Sequence, residues 1–233
     1  MKFRKPLIRT AVAALFALAG AHAQADLVFL GAQTAGGTGL GAVNTLLTFQ
    51  SPGNSSFESA SVGLTTGGAH IATGDAKTGA SQTQVLSFSL LGITDASSLR
   101  LVFNANEPAG NSITLESLVM NVFDSGSGSL LFSSAYAGAP QTFDDTFTGT
   151  GSSGFVFALD AGDAATLQAL LALPGSGSNV IGVSSSASSA TGGAETIYVG
   201  SSVSAIPEPE TYAMMAAGLG LLGFAARRRR KTS

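Results

Sequence analysis

Between residues 26 and 205 the chain is cut into short apolar or alternating runs, most of four to eight residues, by clusters of glycine, serine, asparagine and proline. The runs fall at 27–30, 46–49, 62–66, 85–91, 99–104, 113–123, 130–132, 143–147, 155–159, 180–184 and 196–199. Pieces that short cannot each bury a helical stripe, but they suit strands that share one core across a sheet. The expected fold is therefore all-β, an antiparallel β-sandwich or jelly-roll-like ectodomain over 26–205. Leu86, Phe88 and Leu90 alternate with serines, which predicts a half-buried strand over 85–91. Leu118, Met120 and Val122 repeat the pattern, and Asp124, Gly126 and Gly128 then supply turn chemistry, so 113–132 should be a hairpin.

One segment breaks the rhythm. Residues 160–173 are rich in alanine and leucine, with Leu167, Leu170 and Leu171 on one helical face and Pro174-Gly175 as a stop. One short helix near 163–172 is expected, with Asp163 as its N-cap. The glycine-rich stretch 32–41 and the Ser/Ala/Thr/Gly stretch 184–193 are expected to be mobile loops, or in the second case a polar edge strand.

Charge is divided sharply along the chain. Residues 26–210 hold all fourteen acids and only two bases, Lys77 and Arg100, a formal charge of −12. A body of that sign repels phosphate backbones and attracts cations or basic partners, so nucleic acid is excluded as a ligand. The other bases sit at the two ends.

The N-terminal end combines basic residues at 2–9, an apolar run at 11–19 and small residues around Ala23 and Ala25. This pattern predicts a secretory signal peptide over 1–25, cleaved after Ala25, because its apolar core is too short to span a bilayer. No paired arginine precedes the run and the chain contains no cysteine. The general secretion machinery is thus the expected route, and lipoprotein anchoring, disulfides and thiolate metal sites are ruled out.

At the C-terminal end, Pro207, Glu208 and Pro209 precede residues 213–226, which carry no charge, and then Arg227, Arg228, Arg229, Arg230 and Lys231. The two prolines hold the backbone extended. The uncharged stretch, from Ala213 through Gly218, Gly220 and Gly223 to Ala226, can form a C-terminal hydrophobic helix of about 21 Å, shorter than the ~30 Å hydrocarbon core. The arginine run serves as a stop-transfer signal, since it crosses a membrane only at high cost. The segment 206–233 therefore suits transient retention in the inner membrane.

This arrangement resembles the PEP-CTERM sorting signal of Gram-negative bacteria, in which a Pro-Glu-Pro motif, a short glycine-rich membrane helix and an arginine cluster follow one another. The resemblance implies recognition and processing by an exosortase, and placement at the cell surface or in an extracellular matrix. It also implies a link to extracellular polysaccharide and biofilm. It covers the C-terminal segment alone and leaves the ectodomain's role open.

Catalytic constellations are scarce in the body. His70 is the one histidine left after signal removal, it follows a glycine-rich turn, and no G-x-S-x-G occurs. Gly37, Gly39 and Ala42 fit G-x-G-x-x-A, with Glu58 further on, but no helical pattern follows. Asn54-Ser55-Ser56 fits a glycosylation acceptor that a bacterial sorting tail argues against. Asp144 and Asp145 would point to opposite faces of a strand, while Asp160 and Asp163 would share a turn. No cofactor, metal centre or catalytic set is expected, and the chain reads as a non-enzymatic surface or matrix protein. Two alternatives remain: a carbohydrate- or calcium-binding module, which calls for an exposed Tyr136 or Tyr198 beside carboxylates, and a polysaccharide hydrolase, which calls for two acids facing a cleft.

Overall fold

The computed structural model describes residues 26–34, 43–53, 55–108, 110–144 and 153–200. The expected signal peptide 1–25, most of the glycine-rich stretch and the whole of 206–233 lie outside them. The described chain runs β1 (Asp26–Thr34), β2 (Asn44–Phe49), β3 (Glu58–Leu64), β4 (His70–Gly74), β5 (Leu86–Ser87), α1 (Phe88–Leu91) and β6 (Arg100–Asn104). It continues through β7 (Ser112–Phe123), β8 (Leu130–Tyr136), β9 (Gln141–Asp144), β10 (Ser153–Leu159), α2 (Ala161–Leu171), β11 (Val180–Ser188) and β12 (Glu195–Gly200).

The all-β expectation holds, with two modifications. The strands form one hydrogen-bonded path, β2-β12-β6-β10-β1-β8-β7-β11-β3-β4, with β5 attached to β11 and β9 to β7. It is also a mixed sheet, because β1 runs parallel to β8 through Asp26 opposite Ala135 and Leu27 opposite Tyr136. The path curls back on itself. Just after β4, Ala76 bridges to Phe49 at the end of β2. The Gln50 N–H donates to the Asp75 carbonyl at 3.1 Å, and the Lys77 N–H donates to the Thr48 carbonyl at 2.8 Å. These bonds cover the edge of β2, which would otherwise present unpaired backbone groups to other chains.

The core follows strand alternation. Leu118, Met120 and Val122 of β7 are fully buried, and the predicted hairpin pairs Val122 with Phe132 and Val119 with Ala135. A phenylalanine cluster fills the middle, where Phe143 stacks on Phe155 at 3.9 Å between ring centroids and Phe29 tilts against Phe143 and Phe157 at 5.3 Å. Such aromatic contacts contribute beyond the apolar area they bury.

Three local expectations are corrected. The alternation at 85–91 yields only the short β5, after which the chain turns into α1. The Ser87 hydroxyl accepts the Leu90 N–H at 3.2 Å, and Gly92 ends the turn in the left-handed region at φ 67°. Helix capping at both ends thus overrides alternation, and Leu90 is left exposed. For α2 the cap is Asp160, whose Oδ1 accepts the Asp163 N–H at 2.7 Å, so Asp163 lies inside the first turn. Leu167 is buried, and Leu170 and Leu171 pack partly on the core, as the face predicted. Gln168 fastens the helix to the preceding turn by accepting the Ala96 N–H at 2.9 Å.

The third correction concerns 184–193. Its first half is no loop or edge: β11 runs to Ser188 and pairs with β7 on one side and β3 on the other. The serines fit because their hydroxyls find partners, Ser185 donating to the Ser117 carbonyl at 2.9 Å and Ser186 meeting the Ser117 hydroxyl at 2.7 Å. Gly182 is required by close approach, since a Cβ there would lie 2.4 Å from the Val62 carbonyl oxygen.

Candidate functional site

The described residues bring two acids together that lie far apart in sequence. Glu58 opens β3 and Glu195 opens β12. In β3 the side chains at 58, 60 and 62 point inward in register, and in β12 those at 195, 197 and 199 do the same. The sheet's period of two therefore sends both glutamates into positions otherwise held by Ala60, Val62, Ile197 and Val199. Glu58 is 3% exposed and Glu195 is 0% exposed.

Glu58 is held from one side. Its Oε1 accepts the Ser51 N–H at 3.0 Å and the Ser51 hydroxyl at 3.3 Å. Its Oε2 and both Glu195 oxygens are buried without a hydrogen-bond partner. Two bare carboxylates cannot remain in contact in such a place. Burial pushes Glu195 up to about 10, reinforced by the Glu58 carboxyl beside it. At neutral pH Glu195 thus keeps its proton.

A cleft of about 290 Å³ reaches Glu58 from outside, and Glu195 lies buried away from its lining. Gln50, Ser51, Ser55 and Ser56 line one wall, Thr191 and Gly192 the other, and Glu58 also lines it. The walls are tied together: Gln50 Nε2 donates to the Gly192 carbonyl at 3.2 Å, and the Ala190 N–H donates to the Ser56 carbonyl at 3.0 Å. Behind Thr191 a third acid, half-buried Glu107, accepts the Thr191 N–H at 3.0 Å and its hydroxyl at 2.7 Å. Among the described residues no three histidine, cysteine, aspartate or glutamate side chains converge at metal-binding spacing.

The residues singled out by sequence are placed as follows. His70 is exposed at the start of β4, and Asp144 is exposed in β9. Asp160 and Asp163 do share a turn, which the capping bond accounts for, and burial raises the Asp163 carboxyl above its usual range. Tyr198 is buried, and half-buried Tyr136 packs edge-on against Phe157 at 5.3 Å, so neither offers the exposed platform a sugar module would need. Asp145, Asn54 and residues 37–42 lie outside the described residues. So do Pro207, Glu208 and Pro209, the stretch from Ala213 to Ala226, and Arg227 to Arg230. Among the described residues no helix is long and apolar enough to cross a membrane.

The Glu58–Glu195 pair was not foreseen. Its signal was in the sequence, since each glutamate stands two residues before a core position of an alternating run.

Comparison with known proteins places residues 205–230 in the family model of the PEP-CTERM protein-sorting motif. That span contains the proline–glutamate–proline triplet, the uncharged stretch and the four arginines. No curated protein and no solved structure gives a significant match to the chain. The motif marks an exported protein, read by an exosortase and placed at the surface or outside the cell.

Proposed function

We propose that the chain enters the general secretory route through residues 1–25 and pauses in the inner membrane through 213–226 and the arginine run. There the exosortase acts near Pro207-Glu208-Pro209, and the all-β body is delivered to the cell surface or extracellular matrix. The observation that carries this reading is the sorting motif at 205–230. The role of the body is structural or interactive, tied to extracellular polysaccharide and biofilm, rather than catalytic. Its acidic, serine-rich surface supports a matrix role because it stays solvated beside hydrated polysaccharide.

One feature touches the hydrolase alternative, the Glu58–Glu195 pair. Glu58 lines the cleft, but Glu195 is fully buried and does not. A glycosidase needs two carboxyls facing one cleft on either side of the scissile bond.

The sorting reading is tested by mass spectrometry of the protein from cells with and without their exosortase. The mature chain should lack its arginine run only when the exosortase is present. Identical C-termini in both strains would overturn it.

A further inference from the structure

Asp163 in the first turn of α2 is 1% exposed, and its Oδ2 meets no hydrogen-bond partner. An acidic residue in a first turn can reach back to the N–H of the cap residue. Here that N–H is taken, because Asp160 donates it to the Asp26 carbonyl at 3.0 Å. The Ser134 hydroxyl, also 1% exposed, has no partner either. Ser134, Asp160 and Asp26 are the groups that act on the Asp163 carboxyl, so both of its charged neighbours are negative. The body's two bases stand elsewhere: Arg100 donates to the Ser97 and Leu99 carbonyls, and Lys77 follows β4. Among the described residues no metal-binding set forms there. A buried acid with acidic neighbours and no cation is costly, and an asparagine would fill the same helix position without a charge.

The chain itself can supply the cation. β1 begins at Asp26, and its Leu27 pairs with Leu159, which sets Asp26 opposite Asp160. The nitrogen and carbonyl of a strand residue turn to the same side, so the Asp26 nitrogen faces Asp160 as its carbonyl does. On its other side Asp26 pairs with Ala135, the residue after Ser134. We propose, on the reading of residues 1–25 as a signal peptide cleaved after Ala25, that the α-ammonium released at Asp26 is the partner of Asp163 and locks β1 to α2. Hydrolysis gives the hydroxyl of water to the Ala25 carbonyl carbon and its proton to the Asp26 nitrogen, which takes a second proton from solvent. One neutral peptide N–H thereby becomes three charged donors, placed beside a carboxyl and a hydroxyl that lack partners. An opposite charge this close favours the ionised carboxylate. β1 lies in the middle of the sheet path, so the anchor fastens a central strand. The body is least stable while the signal is attached and tightens once it is removed.

The test compares the full chain before and after removal of its signal. Protein made without membranes, so that no signal peptidase acts, is purified in mild detergent, and half is then cleaved with purified signal peptidase. Mass spectrometry reads the new N-terminus. A product beginning at Asp26 should melt roughly 5–10 °C above the uncleaved chain at neutral pH. Asp163→Asn, which keeps the shape of the side chain, should lose that rise without lowering the Tm of the uncleaved chain. The Asp26 amine should also react with an acylating reagent roughly tenfold more slowly in the cleaved wild type than in cleaved Asp163→Asn, because pairing holds it protonated. Equal melting of the two wild-type forms would overturn the proposal, as would the same rise in Asp163→Asn or equal acylation rates. No cleavage, or a product beginning elsewhere than Asp26, would overturn the signal reading beneath it, and the mass alone tells that failure from the others.

Discussion

Glu195 is fully buried beside Glu58 inside the sheet, and that burial pushes its carboxyl up to about 10. The pair brings together the first residues of β3 and β12, strands separated in the sheet path by six others. Closure of the curled sheet makes them neighbours.

The pair sets a pH dependence of stability. In the folded chain Glu195 is pushed up from an ordinary 4.5 to about 10, mainly by burial. Between those values the folded state holds a proton that the unfolded state has released. The stabilisation is fully present below the ordinary value and is lost as pH rises through the folded one. Stability from urea unfolding should therefore fall from pH 5 to pH 9, by at most about 1.4 kcal/mol per pH unit from this group. In the uncleaved chain Asp163, also raised by burial, adds a change of the same sign. Glu195→Gln should flatten the slope, and an unchanged slope in that variant would contradict the retained proton.

The corrected cap of α2 has its own consequence. Asp160→Ala removes the acceptor of the Asp163 N–H. It should cost about 1 kcal/mol in urea unfolding, while Asp160→Ser, which can still cap, should recover most of that. Equal losses in the two variants would place the effect elsewhere than in the cap.

These elements show which parts of the molecule could be read beforehand. The β7–β8 hairpin was legible because two local signals agreed. Leu118, Met120 and Val122 alternate, and Asp124 folds the turn by accepting the Ser127 N–H at 2.7 Å. Residues 85–91 misled because alternation and capping compete there, and Ser87 with Gly92 decides for a helical turn. β11 was hidden for another reason. A serine run reads as solvent-facing until the strands that satisfy its hydroxyls, above all β7 with Ser117, are known. β4 was missed because it is short and none of its side chains is buried, so it carries no apolar pattern.

The candidate site divides in the same way. The sorting segment is a linear signal, with prolines, apolar residues and arginines adjacent in the chain, and it is readable without a fold. The glutamate pair is a product of topology. Composition treats Glu58 and Glu195 as two of fourteen solvated acids, and only strand register turns them inward.

The central claim is that the C-terminal segment is a processing signal and not simply a membrane tail. Proline favours an extended backbone, the form in which a peptidyl-transfer enzyme takes its substrate, so the sequence assigns Pro207 and Pro209 to presenting the segment and Glu208 to a charge for a basic partner to read. Replacing Pro207, Glu208 and Pro209 by alanines leaves the export signal and the apolar segment untouched. Fractionation with mass spectrometry of that variant is the most direct measurement. The account predicts a full-length protein, exported but retained in the inner membrane with its arginine run intact. A variant that still lost its C-terminal segment and reached the surface at the normal rate would contradict it.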